Sequence, residues 1–267
     1  MQVKSLGYRT DLIFPKFDGV ILDRGNYLVI RTPSNPTFFW GNYLLFSDPP
    51  GSGDDVRWRS IFTEEIGGPP DTQHQTFGWD MPSGESGHIQ PFLDDGYIFV
   101  DQVVLTTREI LPAPAPTKGV EFRPLRTTQD WEQAMENQIR CRDSAHDESH
   151  YRVFKGDQMS RYQKMEQRQL AAWYGAFIGS ELVGDLGIVH DQKLGRFQSV
   201  ETHPAHRRRG IASGLIHSAA NHAFEEFDLQ CLVLVADKGS GAERLYKSLG
   251  FELSERQVGL EWWEGLE

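Results

Sequence analysis

Hydrophobic and polar positions change period several times along the chain, and each change marks an element. In the second half, residues 119–124 begin a strand, and Thr127 or Thr128 caps a helix that carries Trp131, Ala134, Met135 and Ile139 on one face. Residues 159–170 read as helical. Residues 170–178 and 181–190 form a hairpin around Gly179-Ser180. Residues 197–202 are apolar at alternate positions, rich in β-formers, and stop before Pro204, which predicts a central strand. From Ile211 the apolar residues Ile211, Leu215, Ile216, Ala219, Ala223 and Phe224 recur at helical spacing. A buried strand over residues 231–235 follows, then a helix from Ala242 and a last strand through Val258 to Leu260.

The first half is aromatic-rich and punctuated by Gly and Pro. Residues 27–31 read as a strand, and residues 38–40 and 43–46 as a hairpin about Gly41-Asn42. Asp54 or Asp55 caps a helix with Trp58, Ile61, Phe62 and Ile66 on one face, closed by Gly67-Gly68-Pro69-Pro70. Strands are expected at 73–79 and 97–106. Core packing explains Trp40, Trp58 and Trp79 more simply than a ligand groove. The alternating prolines of residues 111–118 hold an extended linker that cannot join a sheet interior, which divides the chain into an α/β domain at 1–110 and a second domain at 119–267.

Composition narrows the partners. The 267-residue chain carries a net charge of -11, with nine Lys and Arg against fifteen Asp and Glu in residues 1–118 and eighteen against twenty-three in residues 119–267. Neither half is basic, so no nucleic-acid surface is expected. Only Cys141 and Cys231 occur, which is neither a disulfide framework nor a zinc spacing. No run reaches membrane-spanning length and the first residues lack a signal peptide's apolar core, so a cytoplasmic protein without metal or membrane partner is expected, as monomer or homodimer. Residues 142–157 carry His146, Asp147, Glu148 and His150; without tight ligand spacing, a solvated loop is expected there rather than a metal or substrate loop.

The chemistry concentrates between the central strand and the helix from Ile211, at Arg207-Arg208-Arg209-Gly210-Ile211-Ala212-Ser213. The first N–H groups of a helix have no partner inside it and the helix dipole makes that end partly positive, so it can hold a phosphate. Gly210 removes the side chain that would keep an anion off the backbone, and the arginines add charge. A basic run is as often merely solvated surface.

Arg207-x-x-Gly210-x-Ala212, after a strand and opening a helix, resembles the Arg/Gln-x-x-Gly-x-Gly/Ala signature of the GNAT (Gcn5-related N-acetyltransferase) superfamily. Ala242-Glu-Arg-Leu-Tyr246-Lys-Ser-Leu-Gly250-Phe251 resembles the element that closes that family's site. The resemblance spans 119–267 and implies the GNAT fold, a mixed, mostly antiparallel sheet flanked by helices. It further implies an acetyl-CoA-dependent N-acetyltransferase acting by direct transfer to the amine of a small molecule or peptide, with no metal. A central strand that splays from its neighbour would bind the pantetheine arm along Val200, Glu201 and Thr202, with a main-chain N–H near Thr202 polarising the carbonyl. Pyrophosphate would lie on the N–H groups of Arg208, Arg209, Gly210, Ile211, Ala212 and Ser213, with arginine side chains assisting. Ser240 would replace the asparagine many members carry before the tyrosine helix.

Tyr246 takes the general acid's place in this resemblance, although a helical tyrosine more often only packs. Glu201 ranks first as base, with His190 and His203 as alternatives. Phe92-Leu-Asp-Asp-Gly96-Tyr97 echoes Tyr246 to Phe251, so the first half reads as a degenerate copy of the same fold that binds no acyl-CoA, or else as an unrelated α/β domain shaping or covering the acceptor site. A non-catalytic acyl-CoA sensor or interaction protein is the alternative function.

Overall fold

The computed structural model describes residues 1–113, 118–143 and 147–264. Their order is α1 (Leu6–Asp11), α2 (Ile13–Asp18), β1 (Val20–Asp23), β2 (Tyr27–Arg31), β3 (Tyr43–Phe46), α3 (Asp54–Glu65), β4 (His74–Trp79), α4 (Gln90–Asp94) and β5 (Ile98–Thr107). Then come β6 (Glu121–Pro124), α5 (Thr128–Arg140), α6 (Glu148–Gln167), β7 (Ala171–Ile178), β8 (Glu181–Asp191), β9 (Leu194–Thr202), α7 (Ile211–Phe227), β10 (Cys231–Asp237), α8 (Gly241–Ser248) and β11 (Glu252–Trp263). Two compact units emerge. One holds Met1–Val104, Val235–Lys238 and Ser254–Glu267, the other Leu105–Leu234 and Gly239–Leu253. The second unit thus begins at Leu105, residues 114–117 of the proline-rich stretch lie outside those described, and β11 from Ser254 onward groups with the first unit.

In the first unit the strands run β1-β2-β3-β4-β11-β5. β2 pairs antiparallel with β1 and β3, β4 runs parallel to β3, and β11 returns antiparallel to β4, with Gly259 opposite Gly78. Alternation along β3 serves two cores. Leu44 and Phe46 join Trp58, Phe62, Phe77, Trp79 and Phe92 under α3, while Tyr43 and Leu45 join Tyr8, Leu12, Leu28 and Ile30 under α1. The expected hairpin about Gly41-Asn42 is not formed, because residues 39–41 make a 3-10 turn instead. Asn42 dictates this: its Oδ1 accepts from the Thr32 N–H at 2.8 Å, and its Nδ2 donates to the Asn35 and Phe38 carbonyls at 3.0 and 2.8 Å. That side chain ties the loop shut where a second strand would have extended it.

In the second unit the order is β10-β9-β8-β7-β6, antiparallel except for β9 beside β10. α5 starts in a capping box between Thr127 and Asp130, and Asp130 is further held by Arg123 at 2.8 Å. On β8, Asp185 reaches Asn137 and Gln138 of α5, whereas the neighbouring Gly184 faces Ile211 of α7. Consecutive strand residues point to opposite faces, so α5 and α7 cover opposite faces of this sheet. The polar stretch at 142–157 is not the expected loop beyond residue 146: Asp147 accepts from the Ser149 and His150 N–H groups and starts α6 eleven residues earlier than the apolar pattern predicts. His146 lies outside the described residues. Among those described, no helix is long and apolar enough to cross a membrane.

Trp58 is 1% exposed and stacks on Phe46 at 3.8 Å between ring centroids. Trp58→Ala should cost the first unit about 3–5 kcal/mol, read as a lower urea midpoint; a loss under about 1 kcal/mol would show that the aromatic cluster collapses around the gap.

Candidate active site

β9 hands over to α7 through a 3-10 turn at residues 204–206, and the Arg207 Nε donates to the Thr202 carbonyl at 3.1 Å, folding the loop back on its strand. Arg208 and Gly210 have φ of 63° and 79°. Gly210 is the residue before α7 and provides no side-chain cap; the first return bond is from the Gly214 N–H to the Gly210 carbonyl at 3.0 Å. The N–H groups of Ile211, Ala212 and Ser213 therefore have no acceptor within the helix. Ser213 is buried and its hydroxyl donates back to the Gly210 carbonyl at 2.9 Å, which leaves the mouth of the helix to main-chain donors. Arg207, Arg208 and Arg209 stand exposed around it. A pyrophosphate suits this cradle: glycine at the point of closest approach, small residues behind it, and positive charge from both dipole and guanidinium.

The strand feeding this loop is open along one edge. β9 pairs parallel with β10 from Leu194 opposite Cys231 to Arg196 opposite Val233, and the register goes no further, although β9 continues to Thr202. On its other edge it stays paired with β8 to the end, Thr202 opposite Gly184. Val200, Glu201 and Thr202 thus lie on backbone that β10 leaves unpaired, where an extended amide-containing ligand can add as a strand.

The first unit repeats the parts without the opening. β3, α3 and β4 follow the same path as β9, α7 and β10, and Gly53 before α3 has φ of 83°, matching Gly210. The Tyr97 N–H bonds the Phe92 carbonyl at 3.0 Å just as that of Phe251 bonds Tyr246 at 3.2 Å, across Gly96 and Gly250 at φ of 84° and 92°. Yet β3 and β4 stay paired to their last residues, Phe46 opposite Trp79. Asp54 and Asp55 occupy the first turn of α3, and the Asp54 carboxylate accepts from the Gly51 N–H at 2.8 Å, putting a negative charge where a phosphate would sit. This unit is closed at the equivalent place and has its own anion there.

Tyr246 is buried on α8 with its ring 6.3 Å from that of Phe251, which lies 5.9 Å from Phe197, the residue at which β9 parts from β10. Ser240 caps α8 by accepting from the Glu243 N–H at 3.1 Å, which fixes its oxygen at the start of the helix and leaves its O–H able to donate outward. The glycine-rich turn is held rather than loose: Glu243 accepts from the Gly239 N–H at 2.6 Å and Arg244 donates to the Gly239 carbonyl at 2.8 Å.

Glu201 is opposite Asp185, on the face covered by α5 and α6. There it joins groups that periodicity did not single out: Cys141 and Gln138 of α5's end and body, Tyr151 and Lys155 of α6, and Asp185. Burial raises the Glu201 carboxyl above its usual range, against the pull of Cys141, Lys155 and Arg207. Burial likewise lifts Asp185 to about 7 despite donors from Asn137, Trp173 and Gln138 at 2.7, 2.9 and 2.8 Å. It pushes Lys155 down to about 8 against both carboxylates, and Cys141 up to about 12. A carboxylate whose burial raises its proton affinity, on the open stretch of the strand, is a stronger base than a solvated one. The two histidines differ from it. His190 pairs with Gly195 at the far end of the strand and stacks on Phe227 at 4.5 Å, while His203 caps the 3-10 turn by accepting from the Ala205 N–H at 3.2 Å. The signal for the missed groups was Asp185 itself, a lone carboxylate inside an apolar run. Among the described residues no cluster of His, Cys, Asp and Glu is placed to hold a metal.

Residues 131–251 match the model of the Acetyltransferase (GNAT) family. The second half of the chain therefore carries the GNAT pattern on the GNAT fold. In three dimensions the whole chain is similar to a conserved protein of unknown function from Staphylococcus epidermidis (14% identity, 94% of this chain and 98% of that one, TM-score 0.72). It is also similar to a GCN5-related N-acetyltransferase from Kribbella flavida (15%, 96% and 95%, TM-score 0.65). A third similar structure is a tandem GNAT protein from the clavulanic acid biosynthesis pathway (13%, 95% and 87%, TM-score 0.53). At these identities the likeness is one of fold. No curated protein matches the sequence.

Lys155 supplies a pH test of the buried cluster. Its folded value of about 8 lies below the ordinary 10.5, so between these the unfolded chain binds more protons and the Lys155 contribution to stability rises with pH. The unfolding free energy of wild type minus that of Lys155→Met should move in favour of wild type between about pH 7.5 and about pH 9.5; a flat difference would mean that Lys155 stays charged when folded.

Proposed function

We propose that the second unit is an acetyl-CoA-dependent N-acetyltransferase that passes the acetyl group directly to the amine of a small molecule or peptide held in the same complex. The observation that carries this reading is the conjunction on one strand: β9 loses its β10 partner after Arg196 and runs, unpaired on that edge, into a glycine-capped helix whose first N–H groups have no acceptor within it. Acetyl-CoA, as donor cosubstrate, supplies an activated thioester. The backbone of Val200, Glu201 and Thr202 orients its arm, and the N–H groups of Gly210, Ile211, Ala212 and Ser213, with Arg207, Arg208 and Arg209, hold its phosphates. Ser240 contributes its hydroxyl proton at the start of α8.

Glu201 takes the proton from the incoming ammonium, and its raised carboxyl makes it a stronger base than a solvated one. As the C–N bond forms and the C–S bond breaks, Tyr246 gives a proton to the departing thiolate, and the second proton that the nitrogen sheds on becoming an amide restores the Tyr246 phenol by way of solvent. Burial of Tyr246 among Phe251 and Phe197 keeps water from competing with it. The first unit, closed and carrying Asp54 in the first turn of α3, acts as a degenerate copy without cofactor. The free thiols of Cys141 and Cys231 fit a reducing cytoplasm.

Calorimetric titration of acetyl-CoA tests the reading first. Wild type should bind one equivalent in the micromolar range, and Gly210→Trp, which sets a bulky side chain at the left-handed cap, should lose at least about tenfold in affinity. No binding to wild type would sink the proposal. Once an amine screen supplies an acceptor, Tyr246→Phe should lower kcat by about a hundredfold or more with little change in KM for acetyl-CoA. Binding with no turnover toward any amine would instead mark an acyl-CoA sensor.

A further inference from the structure

Gln138, near the end of α5, has an amide whose every direction is assigned. Its Oε1 accepts from the Lys155 Nζ at 3.4 Å, and its Nε2 donates both to Asp185 Oδ2 at 2.8 Å and to the Ser199 carbonyl at 2.9 Å. A cation on one side and two acceptors on the other leave one orientation of the amide. The partners are themselves held: Lys155 donates to Gln158 at 2.7 Å, and Asp185 accepts from Asn137 and the Trp173 indole at 2.7 and 2.9 Å. All six side chains belong to residues less than a tenth exposed. Gly187 makes room for this arrangement, since a Cβ there would overlap the Trp173 ring.

The Ser199 carbonyl is no ordinary strand carbonyl. Between the pairs Asp185 with Glu201 and Gly187 with Gln198, β8 advances two residues and β9 three, so β9 bulges there, and Ser199 sits at φ of 50°. A residue with a Cβ adopts that conformation only when its surroundings hold it. A trans peptide points its C=O and the next N–H in opposite directions. With the Ser199 carbonyl drawn toward α5, the Val200 N–H of the same peptide is turned to the opposite face, the one covered by α7 and its phosphate cradle.

We infer that Gln138 is a positioning residue for acyl transfer: by clamping the Ser199 carbonyl between α5 and the bulge, it presents the Val200 N–H to the acyl carbonyl of the bound thioester. Asp185 and Lys155 orient the clamp. The assignment rests on the acetyl-CoA reading above, and it places the polarising donor two residues ahead of Thr202.

The test uses two ligands that differ only in that carbonyl, acetyl-CoA and CoA. Gln138→Met keeps the side-chain volume and removes the amide. It should weaken acetyl-CoA binding about fivefold or more while CoA stays within about twofold of wild type, because one hydrogen bond is lost to the first ligand and none to the second. With a carbon-13 label at the thioester carbonyl, the infrared band of the bound acetyl group should lie below its solution frequency in wild type and return toward it in the variant. Equal losses for both ligands, or an unshifted band in the variant relative to wild type, would overturn the clamp while leaving the cofactor reading intact. Wild type that bound neither ligand would overturn both. Should Gln138→Met not fold, Asp185→Asn, which gives the Gln138 amide a competing donor without changing volume, carries the same comparison.

Discussion

Everything that distinguishes the second unit follows from one asymmetry in β9: it stays hydrogen-bonded to β8 through Thr202 and abandons β10 after Arg196. An edge of main-chain donors and acceptors inside a folded unit is costly unless something fills it. The strand is kept from closing by its bulge at Ser199, which changes the twist and register at the point where pairing ends. The helix beyond it starts at a left-handed glycine and leaves its own first donors open. Strand edge and helix end thus leave backbone groups open at both ends of one short loop, whose own N–H groups at His203, Ala205, His206 and Arg207 are bonded within it or to β8.

The first unit shows what the same chain path becomes without that asymmetry. β3 and β4 pair to their ends, Trp58 and Phe62 from α3 pack onto Phe46 and Phe77, and the loop carries its own carboxylate in place of an incoming phosphate. The glycines at the helix caps match in both units, so the conformation of the turn alone does not make a site. The two units differ in charge and strand pairing at that turn.

Burial of polar groups on the α5 side has a matching logic. Asp185, Lys155 and Gln138 would each be expensive to bury alone, and they are tolerated as a set joined by hydrogen bonds to one another and to Gln158, Asn137 and Trp173. Such a set fixes side-chain positions more narrowly than apolar packing does. Placed behind the bulge, it converts desolvation cost into a defined backbone geometry at the strand that feeds the helix cradle, and it brings charge close to Glu201.

The sequence by itself determined the local features: strands from alternation, helices from period and caps, and the glycine-opened start of α7 after Arg207 to Arg209, since a glycine before a helix carries its consequence within a few residues. The likeness of Phe92 to Tyr97 and Tyr246 to Phe251 was legible as a local motif, because a helix ending in a left-handed glycine leaves a short pattern. Asn42 misled the reading toward a hairpin, and Asp147 hid the start of α6, because in each a side chain bonded to backbone overrides the residue's general preference. Tertiary structure alone decided where β9 leaves β10, which unit is open, and that Gln138, Lys155 and Asp185 meet behind Ser199. Those outcomes depend on contacts between residues tens of positions apart, and a single sequence carries no period or spacing that reports them.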